Sequence, residues 1–161
     1  MLDITGALRR MGVPEADVNI SGTKNANPEH KMYKEITNSI EVTVEPVYLE
    51  DQSAPDEHHF VWAYRVRIEN LGDKTVQLVN RYWRITDADG RVQEVHGAGV
   101  VGEQPILSPG EAFEYTSGTP LRTSSGIMAG SYEMELENGD SFDIAIPPFS
   151  LDSPNENALL H

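Results

Sequence analysis

The sequence predicts an all-β chain, an antiparallel sandwich of seven or eight strands. Three observations carry this. Apolar residues recur with period two over long stretches, most clearly in FVWAYRVRIENLG at 60–72. Turn dipeptides, Asp89-Gly90, Pro109-Gly110 and Asn138-Gly139, punctuate those stretches. No helical pattern of roughly 10–15 residues separates the strands, which excludes a parallel α/β sheet.

The elements follow in order. Residues 1–31 stand apart: Leu2, Ile4, Leu8 and Met11 offer one or two amphipathic turns, and Gly12, Pro14, Gly22 and KNANPEHK read as linker. A helix that short is marginal alone, so a flexible extension is expected. ITNSIEVTVEPVYLE, from Ile36, places Ile40, Val42 and Val44 on one face, and Pro46 marks an edge strand or bulge. In the next strand Phe60, Trp62, Tyr64, Val66 and Ile68 point inward, with Arg65, Arg67 and Glu69 outward. TVQLVNRYWRITD slips phase near Asn80, which predicts a bulge. Asp89-Gly90 turns the chain into RVQEV.

After a glycine-rich stretch, LSPGEAFEYTSG supplies Phe113 and Tyr115 as inward residues. SYEMELENGDSFDIAIPP then forms a hairpin about Asn138-Gly139, and Pro147-Pro148 is expected to end the last strand. The domain is bounded at 32–151, leaving 152–161 as a flexible tail. AGSYEMEL fits a tyrosine corner, in which Tyr132 would bond back to the backbone. That favours an immunoglobulin- or fibronectin type III-like sandwich.

Composition narrows the function. The 161 residues suffice for one domain. With 26 acidic and 12 basic side chains the net charge is −14, which repels phosphate backbones and anionic lipid and argues against nucleic-acid or membrane partners. There is no cysteine, hence no disulfide or thiolate chemistry. The N-terminus lacks a secretory pattern and no apolar run reaches the ~18 residues of a membrane span, so a cytoplasmic location is expected.

The run LVNRYWRITDADGRVQEVHGAGVVGEQPILSPGEAFEYTSG, with GIMAGSYEME and IPPFSL, resembles the ApaG (CorD) family over about residues 32–151. The resemblance implies a fibronectin type III-like sandwich, a link to cobalt resistance and magnesium efflux, and no agreed molecular activity. Related domains in F-box proteins and in a polymerase-interacting protein are suspected of recognising other proteins. The family is also described as carrying a pyrophosphate-binding motif, which would fall on His96, Gly97, Gly99 and Gly102.

The residues themselves fit that motif poorly. A dinucleotide fingerprint needs its glycines to lead into a helix whose N-terminal amides face the phosphates. Pro105, three residues after Gly102, would cost such a helix ~3 kcal/mol. The acidic residue that should follow ~20 positions later is missing from YTSGTPLRTSS. A P-loop fails too, since Glu103 and Gln104 stand where Lys and Ser or Thr belong. Two readings remain: glycines that permit positive φ, a bulge or close packing, or an anion nest of backbone amides near His96 or an arginine of NRYWR.

Other chemistry is weaker. LEDQSAPDEHHF gathers Glu50, Asp51, Asp56, Glu57, His58 and His59, but adjacent histidines diverge at a strand start, so it reads as a polar loop and no metal site is assigned. DADG at 87–90 puts its Gly fourth where a calcium loop needs it sixth, so it is a hairpin turn. His30 and His161 lie in the tails, Ser124-Ser125 has no partner base, and no catalytic constellation is found. Trp83 should face the core with Ile85, leaving Tyr82 and Arg84 outward. Arg81, Tyr82 and Arg84 are the expected contact surface, since Tyr and Arg anchor interfaces. The sequence thus predicts a non-catalytic, cofactor-free interaction module with a protein partner. The alternative is a binder of nucleotide, pyrophosphate or divalent cation through His96–Gly102, and a phosphohydrolase is a third.

Overall fold

The structure, a computed structural model, describes residues 31–154. The segment expected as an N-terminal extension, apart from Lys31, and positions 155–161 of the expected tail lie outside the described residues. Among the described residues, nine strands form two antiparallel sheets: β1 (Tyr33–Thr37), β2 (Ile40–Tyr48), β3 (Phe60–Asn70), β4 (Val76–Asp87), β5 (Val92–Ala98), β6 (Ile106–Leu107), β7 (Ala112–Leu121), β8 (Ser125–Leu136) and β9 (Ser141–Asp152). One sheet runs β1-β2-β3-β7; the other runs β5-β4-β8-β9, with β6 also paired to β4.

Period-two burial builds the core between them. Ile40, Val42 and Val44 from β2 and Trp62, Tyr64, Val66 and Ile68 from β3 face Trp83, Ile85, Met128, Tyr132, Ile144 and Phe149. The rings of Tyr64 and Trp83 lie 5.3 Å apart, and those of Trp83 and Phe149 5.9 Å. The expected bulge is present: register shifts between Leu78 and Asn80, making Val79 the extra residue.

Three expectations are corrected. The stretch from Ile36 to Glu50 is not one strand; Asn38 (φ 48) and Ser39 (φ 65) turn it back on itself as a two-residue hairpin. Both turn residues take positive φ, a geometry Asn accepts and sequence reading assigns more readily to glycine. Pro147-Pro148 does not end β9, which runs on to Asp152. The two prolines sit where register with β8 shifts, between Ile146 opposite Gly130 and Phe149 opposite Met128, on the sheet's outer strand, where a missing N–H is tolerated. Pro46 likewise lies beyond the last β1 pairing, Tyr33 with Val44.

Tyr132 forms no tyrosine corner. It sits deep within β8, and its hydroxyl bonds the hydroxyl of Tyr115 on the opposite sheet. Tyr115 and Tyr132 stand on strands of different sheets, so the bond crosses the core. Burial raises the Tyr115 and Tyr132 phenols well above the ordinary range and pushes Tyr64 up to about 12. At the domain's end, Asp152 belongs to β9, and buried Ser153 donates its backbone N–H to the Ser124 carbonyl.

Candidate functional site

The HGAGVVGEQP stretch is the end of β5 and a tight loop closing back toward β4. β5 pairs with β4 as Tyr82 with His96, Arg81 with Gly97 and Asn80 with Ala98. Beyond it, Val100 and Glu103 exchange two backbone hydrogen bonds of 2.8 Å across Val101-Gly102. Both central residues have positive φ, 44 and 80, the geometry of a two-residue hairpin turn. Strand and turn occupy the place where a phosphate-binding helix would start.

Each glycine has its own cause. A Cβ on Gly97 would lie 2.7–2.8 Å from the Arg81 guanidinium, which rests on the bare backbone there. Arg81 Nη1 donates to the carbonyls of Ala98 and Gly99, each at 2.9 Å. Gly99 has φ +62, and its Cβ would fall 2.2 Å from the Glu103 carbonyl oxygen. Gly102 has open space around it but φ +80. The backbone amides of Gly99, Val100 and Glu103 donate to the carbonyls of Val79, Glu103 and Val100. What the arrangement does chemically is pin a cation against carbonyl oxygens and close a turn.

The sequence grouped the site residues differently from the structure. His96 belongs with Tyr82 rather than with the glycines: the two rings are cross-strand neighbours, 4.8 Å apart. Arg81 shares the inward phase of Trp83 and Ile85, whereas Tyr82 and Arg84 lie on the sheet's outer face. Trp83, as expected, is buried. Two further residues of that outer face escaped sequence reading, Val92 and Ile127, 46% and 55% exposed. They flank Thr86, one on β5 and one on β8. The signal was there for Val92: Val92 and Val95 are three apart on a strand and cannot both face inward. Arg84 stands opposite Glu94 on β5 and makes no ion pair among the described residues, so the face combines two unpaired charges of opposite sign, a ring pair and exposed aliphatics.

Elsewhere, His58 is exposed with φ 53 and His59 is bridged to Ala54 across the 3-10 turn at 55–57. No three His, Asp or Glu side chains converge among the described residues. Asp87 Oδ1 accepts from the amides of Asp89 and Arg91, which makes DADG a hairpin turn. No described helix is long and apolar enough to cross a membrane.

Fold and site together define an antiparallel sandwich of the immunoglobulin and fibronectin type III kind, whose glycine-rich segment forms a strand end and a hairpin turn. The ApaG domain model matches residues 50–136. Protein ApaG of Paramagnetospirillum magneticum is 68% identical over 130 residues, covering 81% of this chain and all of that one. Its counterpart in Parvibaculum lavamentivorans is 62% identical over the same shares. A crystal structure of a Bordetella pertussis protein described as ApaA superposes with a TM-score of 0.70 at 48% identity, covering 76% of this chain and 96% of that one. The chain belongs to the ApaG family.

Proposed function

We propose that this chain is a non-catalytic interaction module that presents the outer face of its five-stranded sheet to a protein partner. The observation that carries the reading is Arg84, unpaired among the described residues and flanked on one face by Tyr82, His96, Val92 and Ile127. Tyr and Arg beside exposed aliphatics supply the anchors that dominate binding energy at protein interfaces. Glu94 stands directly opposite Arg84, and Asn80 bonds Glu133 on the same face, so the face carries both signs of charge and favours an amphipathic partner of mixed charge. The link to cobalt resistance and magnesium efflux implied by the ApaG resemblance is, on this reading, exerted through the bound partner.

The test is site-directed photo-crosslinking in the source cell, with the crosslinker at position 127 and, for comparison, at 114 on the other sheet. A discrete adduct from 127, absent from 114 and lost on Arg84→Ala or Tyr82→Ala, supports the face. Equal adducts from both positions, or none, would sink it.

A further inference from the structure

Among the described residues no strand pairs with the outer edge of β5, and its backbone offers a second binding surface along the rim of that sheet face. In an antiparallel ladder, residues alternate between pairs that exchange backbone hydrogen bonds and pairs that do not. Asp87 N–H donates to the Arg91 carbonyl at one end of the β4–β5 pairing, and Gly99 N–H to the Val79 carbonyl at the other. With Trp83 opposite Val95 between them, positions 91, 93, 95, 97 and 99 turn their backbone groups to β4. Val92, Glu94, His96 and Ala98 therefore turn theirs away from the sheet. Ala98 is capped, because its carbonyl accepts Arg81 Nη1. Val92, Glu94 and His96 are left along an edge without lysine, proline or bulge, the usual guards of an exposed strand. The other outer strands differ. β9 carries Pro147 and Pro148 and is tied to β1 where Ala145 N–H meets Thr37 Oγ1, and β7 carries Pro120.

The geometry points to a second copy of this chain as the occupant, its β5 paired antiparallel with this one about a two-fold axis at Val95. In that register Glu94 of each copy stands opposite His96 of the other, and both residues have their backbone groups turned outward to exchange hydrogen bonds. Glu94 makes no ion pair among the described residues, and His96 is exposed. Moving the axis to Glu94 puts two carboxylates face to face, and moving it to His96 does the same with two imidazoles. The Val95 register is therefore the one in which unlike side chains meet. The ladder stops where Arg81 has taken the Ala98 carbonyl, so its length is set by the strap that seats the glycine loop. Pairing joins the two five-stranded sheets into one and brings two Arg84 faces onto a continuous surface.

Sedimentation equilibrium of the full chain tests this, from about 10 µM to about 1 mM protein. Salt is held at about 0.15 M, so that the repulsion between acidic copies is screened. The wild type should move toward twice the monomer mass across that range. Glu94→Pro should weaken association at least tenfold, because the lost N–H faces away from β4 and the fold does not need it. Glu94→Lys should also weaken it, and adding His96→Glu should restore it by swapping the pair. A chain monomeric throughout, self-association indifferent to Glu94→Pro, or no rescue by the swap would overturn the proposal.

Discussion

Arg65 and Arg67 lie two residues apart on β3, and Arg81 and Arg84 three apart on β4. A strand sends residues two apart to one face and residues three apart to opposite faces. Arg65 and Arg67 accordingly share the outer face of the four-stranded sheet, where both bond Glu114, at 2.7 and 3.1 Å, and Arg67 also bonds Glu69 at 2.7 Å. That face neutralises itself. On the other sheet Arg81 turns inward to strap the glycine loop, and Arg84 turns outward with no ion pair among the described residues. The five-stranded sheet also holds the Gly99–Gly102 loop and both register shifts. One sheet is regular and internally matched; the other is irregular and leaves groups free to bind.

The most damaging way to break this contrast is Gly99→Ala. The new Cβ would lie 2.2 Å from a backbone oxygen at φ +62, so the Val100–Glu103 turn must open. The expected loss is about 2–3 kcal/mol in urea denaturation. Gly102→Ala, with nothing within 4 Å and only its φ of +80 to object, should cost about 1 kcal/mol. Equal losses at the two positions would show that loop closure against Glu103 is not what Gly99 serves.

Next in size is the coupling of Gly97 to Arg81. Gly97→Ala displaces the guanidinium from the Ala98 and Gly99 carbonyls, at an expected cost of about 1–2 kcal/mol. In an Arg81→Met background the same change should cost less than about 0.5 kcal/mol. A double-mutant cycle with no coupling would mean that the guanidinium does not require the missing side chain.

Much of the fold was legible because period two is a strong signal when one side of a strand is buried. β3, the bulge at Val79 and the inward Trp83 were all readable from spacing. The misses have physical reasons. Asn38-Ser39 turns the chain without glycine, and the prolines of β9 are harmless because they sit at a register shift on an outer strand. Tyr132 has the local sequence of a corner, but its hydroxyl finds Tyr115 across the core, a partner that no local window contains. The site was legible in its residue types and illegible in its grouping. His96 adjoins Gly97 in sequence, yet strand alternation puts its ring with Tyr82, while the guanidinium of Arg81 takes the bare face of Gly97.

The smallest expected effect concerns the matched face. The Arg65 guanidinium, hydrogen-bonded to Glu114, holds that carboxyl below its ordinary value of 4.5, with Arg67 adding to the effect. A carboxylate whose folded value is depressed contributes stability that is present above the unfolded value. That contribution is lost as pH falls through the folded one. The side chain of Glu114 is 39% exposed, so solvent screening limits the contribution to a few tenths of a kcal/mol. Urea denaturation at neutral pH and at about pH 3 should therefore show a slightly smaller acid-induced loss in Arg65→Met than in the wild type. Arg84→Met should leave that loss unchanged, because Arg84 holds no carboxylate among the described residues. If Arg84→Met reduced it as much as Arg65→Met does, Arg84 would be paired in solution, and the contrast between the two faces would fail where it carries the functional reading.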